Sequence, residues 1–505
     1  MTQLDARATR ALFGGTVVAF AAAGMGFEIV AGALGGYVLG EGITQFSLAA
    51  GLYMAAMGAG AWASRYAHAR QRRFVECMLA AALAGGCTPA VVYVAVGAAA
   101  SPALVLRAAL CISGVFVGAL LPLAVSLLRR QGAWTHVVSR ALSLDYAGAL
   151  LGALTAGSWL IPKLGPLHAS LFFALLLVVC SMACARAFAL LRTLRMHFAL
   201  IFVALAVTAG ASGRWMRVAD ETLLGAAVFH TQQTKFQRVV FTRARGGFDM
   251  YLDGNLQFAS VDEHRYHEAL VYPVLAATAR PTHVLVLGGG DGLAVRELLK
   301  DARVSDILLV DLDPGMTALA REFPPLRALN GASLSNPRVR VLNEDALRWV
   351  LRAAESGARY DTVVVDFPDP NHYGLGKLYT RAFYESLSGI MAPGGRLVVQ
   401  ATSPLSARQS YWCIAHTLQS AGWQVRPYHV AVPTFGEWGY MLAAREPFDA
   451  PTLLHTQGLR FLDDTVLPTL FAFGRDMREV DTPVNVLNRQ ELVHIYEQEW
   501  HTWVH

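Results

Sequence analysis

The sequence predicts two unlike halves: a multi-pass α-helical membrane domain, then an α/β domain built on a parallel sheet behind a small β-hairpin layer. Three observations carry this. The chain of 505 residues is 54% hydrophobic and only 16% charged, with a mean hydropathy of +0.38, and nearly all of the apolar excess lies before residue 213. Residues 284–291 read Val-Leu-Val-Leu-Gly-Gly-Gly-Asp, an apolar run that breaks into three glycines and a carboxylate. Beyond it, short apolar runs alternate with helical segments, the pattern of strands joined by crossover helices. A chain this long exceeds one ordinary core. The expected division is 1–213 for six to seven apolar helices, 214–282 for a linker and the small β layer, 283–446 for a Rossmann-like domain and 447–505 for a C-terminal extension.

In the first half, seven apolar stretches fall at about 11–38, 43–64, 74–98, 102–128, 141–162, 166–190 and 197–212. Most reach the ~20 residues that cross a bilayer as a helix; the last is short. The first, after Arg7 and Arg10, reads as an uncleaved helix because further spans follow it. Basic residues gather in three loops: Arg65, Arg70, Arg72 and Arg73; Arg129, Arg130 and Arg140; Arg186, Arg192 and Arg195. The alternate loops, around Glu41, Pro102 and 163–166, carry almost no positive charge. That asymmetry puts the amino terminus and the basic loops on the cytoplasmic side of the cell (inner) membrane.

Seven full crossings would then leave residues 213–505 outside, where a nucleoside is scarce. The 197–212 stretch, flanked by Arg195 and Arg214, is therefore the first candidate for an interfacial or re-entrant helix, which keeps the soluble half in the cytoplasm. Glu28, Gln45 and Asp145 fall within or at the ends of these segments, where polar groups are costly and mark either function or an interhelical bond. The Gly/Ala/Ser-rich stretches 51–64 and 148–157 suit close helix packing.

The net charge of +5 reflects those loops; with no basic patch interleaved with aromatics, nucleic acid is not an expected partner. Five of the six cysteines (Cys77, Cys87, Cys111, Cys180 and Cys184) lie in or beside apolar segments, and only Cys413 lies in the soluble half. None has metal-ligand spacing to His, and they read as small buried hydrophobes.

In the second half, residues 236–243 and 248–252 read as short strands, the second closed by the turn Asp253-Gly254-Asn255. Parallel strands follow at 284–287, 307–312, 339–342, 362–366 and 396–400, with a closing pair at 424–430 and 438–443. Glycines at 288–290 let the backbone approach a ligand closely, and Asp311 lies at the spacing where a carboxylate meets ribose hydroxyls. Ligands of such sheets bind at the carboxyl ends of the strands. Asp291, Asp311, Asp345, Asp366 and Asp369 all fall there. Any one of them reads equally well as a helix cap; carboxylates after four successive strands do not.

The segments Tyr251-Leu-Asp-Gly-Asn-Leu-Gln257, Asp262-Glu-His-Arg-Tyr-His-Glu268, Gly288-Gly-Gly-Asp-Gly292, Asn343-Glu-Asp-Ala346 and Asp366-Phe-Pro-Asp-Pro370 resemble, in order and spacing, the spermidine synthase (polyamine aminopropyltransferase) family. The likeness covers about 230–445, and the apolar half resembles the membrane domain of some bacterial members. It implies an S-adenosylmethionine-dependent transferase fold with no permanently bound cofactor or metal, and decarboxylated S-adenosylmethionine as co-substrate. Gly288, Gly289 and Gly290 would cradle the donor, with Gln257, Asp311 and Asp345 holding its nucleoside, Asp311 on the ribose and Asp345 on the adenine. Asp291 would meet the aminopropyl ammonium. Asp366 and Asp369 would receive the diamine, Asp366 as the base, with Tyr266 positioning it; Gln237, His267 and Phe435 fall at acceptor-side positions.

The chain also departs from the family pattern. Phe367-Pro368 replaces small hydroxyl residues between the paired acids, and Asn371-His-Tyr-Gly374 replaces a Gly-Pro-Ala-like turn. Phe435 stands where the family has a tyrosine, so one hydroxyl to the amine is missing. His267 stands where soluble members often carry Gln. These changes touch the acceptor pocket more than the donor pocket. Two other readings stay open: a transferase or lyase using intact S-adenosylmethionine, and a membrane transporter or sensor with a ligand-binding soluble half. The expected partners are an amine, a sulfonium nucleoside and the lipid bilayer, with self-association into a homo-oligomer left open.

Overall fold

The computed structural model describes residues 6–39, 42–98, 100–128 and 134–503. Glu41, Arg129 and Arg130, which contribute to the loop-charge pattern, lie outside them, as do the side chains of Arg7 and Arg10. The chain forms two compact units, Met1–Thr242 and Arg243–His505.

The first unit is mostly helical: α1 (Ala6–Leu39), α2 (Gly42–Ala63), α3 (Arg70–Gly97), α4 (Pro102–Leu128), α5 (Trp134–Thr155), α6 (Ile161–Ala187) and α7 (Leu191–Leu224). Six stretches of the described residues are long and apolar enough to cross a membrane. One of them, His136–Ala187, is 52 residues long, about twice what a bilayer needs at 1.5 Å per residue. It is broken at Gly165, whose φ of 76° and ψ of 168° are not helical. The 197–212 stretch is not short as read from sequence: it is the middle of α7, a helix of 34 residues. Arg214, Arg217, Asp220 and Glu221 end the apolar run but continue the helix. Close contacts fall within the small-residue stretches, at Gly60, Gly148 and Gly152. A methyl group on Gly60 of α2 would lie 1.9 Å from the Val115 carbonyl oxygen of α4. Strands β1 (Val228–Gln233) and β2 (Arg238–Ala244) follow as an antiparallel hairpin.

In the second unit, β3 (Gly247–Leu252) and β4 (Asn255–Ala259) pair through Asp253-Gly254. Both turn residues have positive φ, 49° and 86°, the condition of a type I′ hairpin. Then come α8 (Glu263–Ala277), β5 (His283–Gly288), α9 (Leu293–Leu298), β6 (Asp306–Asp311), α10 (Pro314–Glu322), α11 (Pro324–Leu329), β7 (Val339–Asn343), α12 (Ala346–Glu355), β8 (Tyr360–Asp366), α13 (Tyr373–Gly376), α14 (Arg381–Ser388), β9 (Met391–Gln400), α15 (Arg408–Ser420), β10 (Gln424–Val432), β11 (Gly436–Ala444) and α16 (Glu491–Trp503). The sheet runs β10-β11-β9-β8-β5-β6-β7. Strands β9 to β7 of that order are parallel, and β10 and β11 add an antiparallel edge. The middles of the central strands are apolar runs, Val284–Leu287, Ile307–Val310 and Val363–Val365, as burial on both faces requires. Strand order reverses at β5, with β6 on one side and β8 on the other, and the crevice at the carboxyl ends opens there.

Candidate active site

The crevice begins where β5 meets β8. Gly288 pairs with Asp366 across the two strands, and the Gly289 N–H donates to the Asp366 carbonyl at 3.1 Å. A methyl on Gly288 would lie 2.2 Å from that carbonyl, and one on Gly290 would lie 2.6 Å from an Asp311 carboxylate oxygen. At Gly288 the obstacle is backbone, so no side chain fits; at Gly290 a side chain would displace the Asp311 carboxylate.

The acids expected on the donor side stand at this edge. Asp311 ends β6; its carboxylate accepts from the Gly290 N–H at 3.1 Å and the Asp313 N–H at 2.7 Å. Burial pushes its pKa up to about 7, against the pull of those amides. Asp291 is buried and accepts from the Leu293 N–H at 2.9 Å. Burial raises its pKa, and His267 opposes the rise. Asp345 has the cap geometry: it accepts from the Arg348 N–H at 3.1 Å at the start of α12 and pairs with the Lys377 ammonium at 2.6 Å. Its partial burial would raise its pKa, but the Lys377 ammonium and the Arg348 amide hold it below the usual value. Gln257 lies half-buried on β4.

Among the residues expected on the acceptor side, Tyr266 of α8 donates to Asp366 Oδ1 at 2.7 Å. Burial pushes the Asp366 carboxyl up to about 6; Asp291 adds to the rise, while His267 and the Tyr266 hydroxyl reduce it. The Tyr266 ring packs against Tyr440, centroids 5.5 Å apart, and against Trp438 at 6.4 Å. Phe435 lies on the β10–β11 turn and meets the same Trp438 edge-on at 5.1 Å. His267 is buried, with Nδ1 bonded to the Glu263 carbonyl at 2.8 Å and the Glu263 carboxylate at 2.9 Å. Burial would lower its pKa, but Glu263 outweighs that and raises it, with help from Asp291 and Asp366. When protonated, His267 would offset the charge of Asp291 and Asp366. Gln237 belongs to the first unit, on the β1–β2 turn, where its carbonyl accepts from the Thr234 N–H at 2.9 Å.

Asp369, three residues past Asp366, accepts from Gln400 Nε2 at 3.1 Å, Thr402 Oγ1 at 3.3 Å and Tyr496 Oη at 2.6 Å. Among the described residues, Asn371 Oδ1 and Trp438 Nε1 are buried without a protein partner. Buried polar atoms are rarely left so unless something else meets them.

A family model described as "Spermine/spermidine synthase domain" matches residues 263–450. A protein named polyamine aminopropyltransferase 2, from Ralstonia nicotianae, is 42% identical over 503 residues, covering 96% of this chain and 97% of its own. A polyamine aminopropyltransferase from Leptospira interrogans is 39% identical over 494 residues, 96% of this chain and 98% of its own. This chain belongs to the polyamine aminopropyltransferase family. A further polyamine aminopropyltransferase, from Mycobacterium tuberculosis, is 36% identical over 98% of this chain and 97% of its own. The likeness to these aminopropyltransferases therefore includes the apolar half. A crystal structure of a spermidine synthase in complex with the transition-state analogue AdoDATO aligns with 49% of this chain and 85% of its own, at 22% identity and a TM-score of 0.45.

Sequence reading missed several buried polar residues in and around this candidate site. Glu263 orients His267 and is itself held by Arg296 at 2.8 Å; its place in the Asp262–Glu268 segment was the available signal. Glu268 is buried and accepts the Arg460, Phe461 and Leu462 N–H groups, each within 2.9 Å. Gln400, Thr402 and Tyr496 gave no local signal, because only the fold brings them to Asp369.

Proposed function

We propose that this chain transfers the aminopropyl group of decarboxylated S-adenosylmethionine to a diamine such as putrescine, forming spermidine and methylthioadenosine. The observation that carries the residue-level reading is Asp366: a buried carboxylate at the switch-point strand end, aimed by Tyr266 and beside the Gly288–Gly290 turn.

A diamine arrives largely as ammonium, since alkyl amines have pKa values near ~10. The attacking nitrogen must lose one proton to expose its lone pair. A neighbouring sulfonium favours the neutral amine by like-charge repulsion, and Asp366 is the group placed to take the proton. The nitrogen then bonds to the donor carbon next to sulfur, the C–S bond breaks, and its electrons leave with methylthioadenosine. Asp311 would hold the ribose and the buried Asp291 the donor's ammonium. A carboxylate in that place repels the extra carboxylate of intact S-adenosylmethionine, which favours the decarboxylated donor. Asp369 would hold the amine's second ammonium.

The apolar unit is read as a membrane domain. Its outward faces carry Leu104, Leu150, Val179, Leu200 and Phe202, each more than half exposed, a surface suited to lipid. The test of the activity is mass spectrometry of products from purified protein given each sulfonium donor with a panel of diamines. Methylthioadenosine together with an aminopropylated amine is expected. A methylated product, or turnover of the intact donor alone, would overturn the reading.

A further inference from the structure

We propose that helix α16 forms the far wall of the acceptor site, with Tyr496 as the residue that restricts the acceptor to a short, unbranched primary diamine. This rests on the reading of Asp369 as the carboxylate for the second ammonium. The Tyr496 hydroxyl donates to Asp369 Oδ2 at 2.6 Å, from a helix that lies beyond the 263–450 match. It brings a phenol to the acceptor acids of a chain that has Phe435 where the family has a tyrosine.

The helix is fixed in place. Leu492 and Val493 are fully buried. The Glu499 carboxylate accepts from the Gln409 N–H at 2.7 Å and from the Ser410 N–H and hydroxyl at 3.0 and 2.7 Å. His494 and the Tyr373 hydroxyl are hydrogen-bonded at 2.9 Å. The Asn485 side chain ties the preceding segment to the Gly376 and Tyr379 carbonyls at 3.2 and 3.0 Å. Tyr496 therefore meets Asp369 from a rigid element.

An ionised carboxylate offers roughly four acceptor sites. Neutral donors (Gln400, Thr402 and Tyr496) already fill three at Asp369, which leaves room for one N–H of an ammonium. The Tyr496 ring stands beside that carboxylate, and in this proposal it blocks the continuing chain of a longer polyamine. The phenol also steadies the charged form of a carboxylate that burial otherwise pushes toward neutrality.

The test is steady-state kinetics of the full-length protein with decarboxylated donor and diaminopropane, putrescine, diaminopentane, diaminohexane and spermidine as acceptors. Tyr496→Phe keeps the ring and loses the hydroxyl; the putrescine KM should rise roughly 5-fold, because Asp369 loses the donor that steadies its charged form, with the donor KM unchanged. Tyr496→Ala also removes the wall; kcat/KM for diaminohexane and spermidine relative to putrescine should rise about 10-fold or more. An unchanged putrescine KM in Tyr496→Phe overturns the proposal, as does an unchanged acceptor profile in an active Tyr496→Ala. If Tyr496→Ala does not fold, by melting temperature, Tyr496→Phe alone decides. Failure of the wild type to form methylthioadenosine with any amine is a separate result that sinks the parent reading.

Discussion

Tyr266 donates its phenolic hydrogen to Oδ1 of Asp366 at 2.7 Å, and the same Asp366 accepts the Gly289 N–H through its backbone carbonyl. One residue thus links the Gly288–Gly290 turn to Tyr266 of α8. The Tyr266 bond fixes one carboxylate oxygen and leaves the other, Oδ2, facing the Gly289 side of the turn.

Asp366→Asn is expected to lower turnover by about 10²–10⁴ while donor binding stays nearly intact, the pattern of a proton acceptor needed in the transition state. Asn keeps an oxygen for the Tyr266 hydroxyl but loses the charge and nearly all basicity. Asp369→Asn should mainly raise the acceptor KM. Rate and binding assays on both variants check this; a well-folded Asp366→Asn protein with wild-type turnover would rule out the assignment.

The pH dependence follows from Asp366, whose carboxyl is held at about 6 by burial. As a base it must be ionised, so kcat/KM for the donor at saturating diamine should rise with pH through about 6. Stability runs the other way. A carboxyl whose folded-state pKa lies above its ordinary value stabilises fully below about 4 and loses that contribution as pH rises through about 6. The melting temperature of Asp366→Asn relative to wild type should therefore increase between pH 4 and pH 7. A flat difference across that range would contradict the buried, raised carboxyl.

Asp311→Ala should weaken donor binding by roughly 5- to 150-fold, the ~1–3 kcal/mol typical of a lost acceptor in a buried site. It also leaves the Gly290 and Asp313 amides without their partner. Because burial holds the Asp311 carboxyl at about 7, binding of the cationic donor should favour its ionised form. Calorimetry in two buffers should then show proton release between pH 6 and 7, absent in Asp311→Asn. Equal donor affinity in wild type and Asp311→Ala would refute the ribose role.

Much of the second unit was legible because its signals are local. Apolar runs mark the buried strands, Gly288–Gly290 mark the close approach, and Asp253-Gly254 fixes a two-residue hairpin. Strand β1 was missed because it is short and polar: Val228–Gln233 contains His, Thr and two Gln. The length of α7 was missed because Arg214, Arg217, Asp220 and Glu221 look like a boundary by hydropathy; Asp220 instead pairs with Arg238 and Tyr37. Tyr496 stands 127 residues from Asp369, and no pattern spans that distance. Gln237 was drawn from the resemblance; here its neighbours are those of a turn in the other unit.

Between Arg195 and Arg214, helix α7 carries no acidic or basic residue except His197, a length that suffices to cross a bilayer. If it crosses while the basic loops stay inside, the second unit lies outside, away from its nucleoside supply. Basic residues flank the apolar run on both sides, which suits a helix whose two ends share the cytoplasmic face. Reporter fusions in the Phe188–Leu190 turn before α7 and after His505 should therefore report the same side. The same answer should come from a reporter in the loop after Arg129. Opposite sides for the first two would establish α7 as a crossing helix, move the second unit out of the cytoplasm, and require that donor and diamine reach it there.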